Sequence, residues 1–194
     1  MLVVGLAGML QAADEGPTTL ANLQAAYNGE SNAKARYEAF AVKADAEGYL
    51  AVGVLFRAAA KSEIIHATKH GEIIKSLGAE PKAEVGAPDV KSTRENLEAG
   101  IKGETEEKET MYPAFIKQAQ ADKNKRAAMS FKGAMAAEAE HAKLYGAALK
   151  DLEGWKAAGK VFLVCQICGY TSMDQSLKKC PVCEAPRTKF DEVK

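Results

Sequence analysis

Two groups of side chains in this sequence have the types and spacing to bind metal. The first is a repeated Glu-x-x-His motif, Glu63-x-x-His66 and Glu138-x-x-His141. On a helix, each motif sets a carboxylate and an imidazole one turn apart on the same face. The second is Cys165-x-x-Cys168 followed, after eleven residues, by Cys180-x-x-Cys183, and these are the only four cysteines of the chain. Two such knuckles in under twenty residues read as a tetrahedral thiolate site for one metal ion. Disulfides are the competing reading, but Cys-x-x-Cys pairs close almost no loop and make poor staples. Four-sulfur geometry suits iron and zinc alike. Zinc there would be structural, whereas an iron on four thiolates carries one electron.

The elements that must position the glutamates and histidines are helices. From Thr18 to Asp151 the chain is dominated by Ala, Glu, Lys, Leu and Gln, with apolar positions recurring at three and four. Breakers divide it into four segments: Thr18–Ala46, Tyr49–Leu77, Ser92–Ala121 and Lys123–Leu152. Ser92-Thr-Arg-Glu95 offers an N-cap with a glutamate three residues on, and Pro113 should bend the third segment locally. The short connections at Gly48 and near Asp122 imply two antiparallel hairpins. Pro81, Gly86 and Pro88 lie in a connection between Leu77 and Ser92 long enough to be a crossover. Two hairpins joined by one long crossover define the ferritin-like variant of the four-helix bundle.

The apolar stripes read Leu23, Tyr27, Tyr37 and Ala41 on the first segment, and Val52, Phe56, Ala59, Ile73 and Leu77 on the second. Leu97, Gly100, Met111 and Ala114 follow on the third, and Phe131, Ala134, Tyr145 and Leu152 on the fourth. Each stripe is interrupted near its middle by charge: Glu30, then Glu63, His66 and His70, then Glu104 and Glu107, then Glu138 and His141. Glutamates are almost never fully buried unless paired or bound to a metal. The register test is direct, because facing residues of a hairpin are equidistant from its turn. The midpoint of Glu30 and Glu63 falls at Ala46–Glu47, beside Gly48; that of Glu104 and Glu138 falls at Ala121, beside Asp122. Both hairpins bring their carboxylates to one level. Two Glu-x-x-His motifs matched to lone glutamates Glu30 and Glu104 on the other helices fit a dinuclear iron or manganese centre.

Composition excludes some functions. Of 194 residues, 26 are Lys or Arg and 26 are Asp or Glu, so the net charge is zero and a globally basic nucleic-acid binder is excluded. No run of eighteen apolar residues exists to span a bilayer. Met1–Ala13 (MLVVGLAGMLQAA) is apolar and stops at Asp14-Glu15-Gly16-Pro17. A secretory signal would carry Lys or Arg before its core and small residues at both key positions before the cut. Cutting after Ala13 or Ala12 puts Gln11 or Leu10 at the outer one. The stretch therefore reads as an apolar extension packed on a neighbouring surface, and the protein as cytoplasmic, with a periplasmic signal as the alternative. The expected organisation is an extension over 1–16, a diiron bundle over 17–153, a linker over 154–160 and a four-cysteine iron domain over 161–194.

These motifs together resemble rubrerythrin. The resemblance rests on Glu30 in Asn28-Gly-Glu-Ser-Asn-Ala-Lys-Ala-Arg-Tyr37, on Glu63-Ile-Ile-His66, on Gly103-Glu104-Thr-Glu-Glu107 leading to Met111-Tyr112-Pro113, and on Glu138-Ala-Glu-His141. The tail, Cys165-Gln-Ile-Cys168-Gly169-Tyr170 with Cys180-Pro-Val-Cys183, is similar to the family's rubredoxin-like domain. It covers residues 17–194 and implies a non-haem diiron peroxidase that reduces hydrogen peroxide to water in oxidative stress defence. Electrons from a redox protein or reductase would enter through a one-iron tetracysteine site. It further implies that Glu30, Glu63, Glu104, Glu107, Glu138 and His141 hold two irons, and that His66 trades places with Glu107 as one iron changes oxidation state. Tyr37 and Tyr112 would hydrogen-bond to ligating carboxylates or bound oxidant. His70 matches no family ligand and reads as a core histidine or one just outside the ligands. The resemblance also implies a homodimer or higher homo-oligomer in which the tail serves the partner's bundle. The alternatives from other classes are a ferritin-like iron oxidation or storage protein and a non-catalytic module with a zinc ribbon.

Overall fold

A computed structural model of the chain describes residues 18–194; the expectations for the apolar leader lie outside the described residues. Thr18 opens α1 (Thr19–Ala46) by accepting the Ala21 N–H at 3.2 Å. Gly48, at φ +82, reverses the chain where a side chain would be strained, and α2 (Leu50–Ser76) returns antiparallel against α1. The third rod begins with α3 (Thr93–Glu106), capped by the expected box. Ser92 accepts from the Glu95 N–H at 3.3 Å, and the Glu95 carboxylate accepts from the Ser92 N–H at 3.2 Å. After a π-helical turn (Glu107–Met111) the rod continues as α4 (Tyr112–Ala121), and α5 (Lys125–Lys150) packs back against both α3 and α4. The result is a ferritin-like four-helix bundle.

The π turn is where the third rod departs from the expected single bend at Pro113. A proline has no N–H to donate and its ring crowds the carbonyl four residues back. The helix widens ahead of it instead, and the Tyr112 N–H bonds back to Glu107 O. The extra residue rotates everything beyond it. Tyr112, Ile116 and Ala119 are buried, whereas Ala114, expected on the stripe, is exposed. Leu77, also expected in the core, sits one residue past α2 and is 45% exposed.

Acidic side chains at the hairpin turns tie the two hairpins together. Glu47, after α1, accepts the Thr93 N–H at the start of α3 at 2.7 Å. Asp122, after α4, accepts the Thr19 N–H and hydroxyl at the start of α1 at 3.0 and 2.6 Å. Each carboxylate meets the positive end of a helix from the other hairpin. The crossover has no regular secondary structure and runs along α1 on a ladder of side-chain amides one turn apart. Gln24 bonds to Glu80 O (2.7 Å) and the Lys82 N–H (3.1 Å). Asn28 accepts the Glu84 N–H (2.8 Å), and Asn32 bonds to Glu84 O (2.9 Å) and the Gly86 N–H (3.1 Å).

The tail forms a three-stranded antiparallel sheet, β1 (Phe162–Cys165), β2 (Thr171–Ser172) and β3 (Phe190–Val193), with β1 central. Leu163 pairs with Ser172 on one side and with Glu192 on the other. Phe162 and Val164 join the bundle core beside Trp155, while Leu163 and Cys165 face the tail's own small core with Cys168, Cys180 and Phe190. Lys61 on α2 reaches Asp191 at 2.7 Å. In this chain the tail sits on its own bundle. Among the described residues no helix is long and apolar enough to cross a membrane. Ser92→Ala removes the α3 cap and should lower stability by about 1 kcal/mol, read as a drop in denaturation midpoint with an unchanged slope; an unaltered midpoint would refute the role given to the box.

Candidate metal centres

At mid-height the bundle closes on Glu30 from α1, Glu63 and His66 from α2, Glu104 from α3, and Glu138 and His141 from α5. All six are at most 2% exposed. Their ligand atoms fall into two overlapping groups: Glu30, Glu63, His66 and Glu138, and Glu63, Glu104, Glu138 and His141. Glu63 and Glu138 belong to both and turn a different oxygen to each histidine. His66 Nδ1 lies 2.9 Å from Glu63 Oε2 and 3.1 Å from Glu138 Oε1. His141 Nδ1 lies 3.3 Å from Glu63 Oε1 and 3.0 Å from Glu138 Oε2. That is the disposition of two carboxylates bridging two cations, with one further carboxylate and one imidazole for each.

Glu30 Oε2, Glu63 Oε1, both oxygens of Glu138 and His141 Nδ1 are buried with no hydrogen-bond partner. Burial and the neighbouring Glu138 and Glu63 charges push Glu30 well above the carboxylate range and Glu104 up to about 8. Burial acts against Glu138 as well, yet His66 and His141 hold it down at about 2. So dense a set of buried acceptors is stable only around positive charge. A pair of divalent cations fits it.

Glu107 lies on the π turn, half-buried and outside both groups. Its carboxyl is pushed well up by burial and by the charges of Glu30 and Glu104, so it faces the cluster without joining it. Of the expected exchanging pair, His66 is the member inside. The tyrosines divide between the outer glutamates: Tyr37 donates to Glu104 Oε1 at 2.5 Å, and Tyr112 donates to Glu30 Oε1.

The outward nitrogens of both histidines are held by the tail. His66 Nε2 lies 3.1 Å from Cys168 O, a pure acceptor, so this nitrogen carries the proton. Thr171 Oγ1 donates to Gly169 O at 3.1 Å, so it accepts from His141 Nε2 at 3.0 Å. With Nε2 fixed as the outward donor, Nδ1 of each ring is the nitrogen aimed into the cluster. It is held as a proton donor to the carboxylates in the metal-free protein and freed to ligate when a cation displaces that proton. Ser62 also bonds to Gly169 O at 2.7 Å. Gly169 itself is at φ +77, and a methyl group there would overlap His66 Nε2 and lie 2.5 Å from Ser62 Oγ. Thr171, Ser62 and Gly169 carry no sequence signal as site residues, because what they contribute is a position reached from the other end of the chain.

The four cysteines are free and gather in the tail, with Cys165 Sγ 3.6 Å from Cys183 Sγ and Cys168 Sγ 3.5 Å from Cys180 Sγ. Metal–sulfur bonds of about 2.3 Å put tetrahedral ligands roughly 3.8 Å apart, so the set fits one ion. The two knuckles repeat one geometry: the Gly169 N–H bonds to Cys165 O and the Glu184 N–H to Cys180 O, with both donors at positive φ. The Cys168 sulfur and the Ile167 and Cys168 N–H groups draw the Cys165 thiol down to about 5 against its burial.

A rubrerythrin family model matches residues 21–149, and a model of the rubrerythrin rubredoxin-like domain matches residues 164–191. Nigerythrin of Nitratidesulfovibrio vulgaris is 39% identical over 176 residues, covering 89% of this chain and 85% of its own. Rubrerythrin-2 of Clostridium acetobutylicum is 36% identical over 172 residues, 87% of this chain and 92% of its own. The solved structure of nigerythrin in its fully reduced, all-ferrous state superposes with a TM-score of 0.85 at 36% identity, covering 96% of this chain and 91% of that one.

The raised values of Glu104, His66 and His141 fix the pH response of the metal-free protein. Groups that hold their protons more tightly when folded contribute stability below their unfolded values, and that contribution is lost as pH rises through the folded ones. The metal-free protein should therefore melt at progressively lower temperature between pH 5 and about 8, and divalent metal should flatten the trend. A metal-free melting temperature that is level or rising across this range would contradict the assignment.

Proposed function

The chain belongs to the rubrerythrin family, and on that premise we propose that it is a non-haem diiron peroxidase reducing hydrogen peroxide to water, with electrons entering at an iron–tetracysteine site. Glu30, Glu63, His66 and Glu138 would hold one iron of the pair and Glu63, Glu104, Glu138 and His141 the other, with Glu107 in reserve on the π turn. Cys165, Cys168, Cys180 and Cys183 would hold the third. Such a pair, when bound, supplies the two electrons that cleavage of an O–O bond consumes.

The chain's own groups have separable tasks in this reading. Glu63 and Glu138, shared by both ligand groups, would hold both ions and compensate their charge. Tyr37 and Tyr112 fix the orientation of the outer glutamates through their hydroxyls. Closure of the core around the site excludes bulk water, which strengthens each of these contacts. The observation that carries the reading is the bond from His66 Nε2 to Cys168 O. A residue of the four-cysteine set and a residue of the carboxylate set are joined by one hydrogen bond, the arrangement expected where electrons pass between them. A storage protein has no use for that link, and a zinc-bearing tail could not exploit it. A separate redox protein or reductase would recharge the tail.

Cys180→Ser should bleach the visible absorption of the ferric tetrathiolate and stop steady-state peroxide turnover with an external reductant, while prereduced protein still consumes about one peroxide per diiron pair. Sustained turnover in that variant would remove the tail from the path, and a colourless, iron-free tail in the wild type would favour the zinc ribbon. Gly169→Ala forces the knuckle away from His66 and, compared at equal iron content, should slow reoxidation of the tail's iron after a peroxide pulse by tenfold or more. Reoxidation at the wild-type rate would show that the contact is dispensable.

A further inference from the structure

His70 belongs to neither ligand group, yet it is fully buried one turn beyond His66. Both of its nitrogens are engaged: Ser130 Oγ lies 3.1 Å from Nδ1, and Tyr112 Oη lies 3.4 Å from Nε2. Tyr112 in turn donates to Glu30 Oε1. At the other end Ser130 is half-buried and lines a surface cleft of about 560 Å3 together with His66, Lys69, Gly133, Ile167 and Cys168. Three hydrogen-bonding groups in series thus run from the cleft to an outer glutamate of the carboxylate cluster.

The direction of every link follows from donor counts. The single hydroxyl proton of Tyr112 goes to Glu30, so Tyr112 Oη accepts from His70 Nε2–H. A neutral His70 then has a bare Nδ1, which accepts the Ser130 hydroxyl, and Ser130 Oγ is left to accept from water. Burial keeps the imidazole neutral, pulling its pKa down to about 3. The chain points inward throughout. Around Tyr37, the counterpart of Tyr112, no histidine continues the chain: Phe40, Phe56 and Tyr145 lie with ring centroids 5.6 to 6.2 Å from its own.

We propose that Ser130, His70 and Tyr112 form a proton relay that carries protons from the surface cleft to Glu30 during peroxide reduction. It rests on the peroxidase reading above. The reaction H2O2 + 2 H+ + 2 e− → 2 H2O breaks the O–O bond with two electrons delivered by the iron pair, and the two protons not brought by peroxide come from solvent. In one passage Tyr112 gives its proton to Glu30 and takes one from His70 Nε2. His70 takes one at Nδ1 from Ser130, and Ser130 takes one from hydrated H+ in the cleft, which leaves water. Proton exchange that returns His70 from its Nδ1–H to its Nε2–H tautomer, with rotation of the Tyr112 and Ser130 hydroxyls, resets the chain.

Iron-loaded, chemically reduced protein is mixed with hydrogen peroxide in H2O and in D2O, and its oxidation is followed by absorbance. His70→Leu should slow the reaction by about a hundredfold, the lower end of what placed proton donors contribute. His70→Gln, which fills the space but cannot pass a proton between two nitrogens, should be similarly slow, and both should show a larger solvent isotope effect than the wild type. Independently of turnover, nitrogen-15 spectra of the metal-free protein should show His70 as the Nε2–H tautomer at neutral pH. Oxidation within twofold of wild type in both variants, with iron content intact, would overturn the relay, as would an Nδ1–H tautomer. If instead the wild-type protein is not oxidised by peroxide at all, the peroxidase reading falls and takes the relay with it.

Discussion

Four carboxyl groups and two imidazoles meet in the buried centre of a helical bundle, and without metal the chain balances them only with retained protons. An isolated buried carboxylate costs several kcal/mol even after relaxation, so this arrangement exists for positive charge that the chain does not itself provide. The rest of the bundle follows from that requirement. The hairpin lengths put the glutamates at one level, the aromatic layers above and below keep water out, and two tyrosines hold the outer glutamates at the angle the centre needs. The π turn belongs to the same solution. By adding a residue between Glu104 and Tyr112, it turns Tyr112 inward to Glu30 while Glu107 stays at the edge of the cluster. π-helical turns recur at functional sites for this reason: they re-aim side chains without breaking the rod.

Holding four rods at one level also needs control of how far each can slide. The acids at the two hairpin turns supply it. Glu47 meets α3 and Asp122 meets α1, so each hairpin is pinned by its turn to the start of the other. The amide ladder of Gln24, Asn28 and Asn32 fixes the crossover along α1, replacing the backbone pairing that an irregular segment lacks. These contacts lie at the surface and are individually modest. Their effect is geometric, because a slip of one helical turn in any rod would carry its glutamate about 5 Å out of level.

Much of this was legible in the amino-acid order. The four rods, the long crossover and the capping box at Ser92 follow from periodicity and breakers. The convergence of Glu30, Glu63, Glu104 and Glu138 follows from equal distances to the turns. Charge on an apolar stripe is a strong signal because burial makes it costly. What escaped has a common physical origin. Ala114 was misplaced because a π turn changes the period from within, and Pro113 announces a disturbance without fixing where the helix absorbs it. Thr171, Ser62 and Gly169 escaped because their roles depend on contacts between the tail and helices 30 to 107 residues away in sequence, which no local pattern encodes. The tail's seat on its own bundle is of the same kind. Ser130 looks like any helix-face serine until His70 is placed beside it.

The loop from Cys168 to Thr171 grips both cluster histidines from outside, and that grip ties two equilibria together. Whatever favours seating of the tail also favours the ring state that receives an ion, and by reciprocity an ion in the cage must strengthen the seat by the same factor. Once latched, the loop acts as a stopper. Loss of an ion would have to wait for the latch to lift, so retention of metal becomes a matter of opening rate as well as affinity.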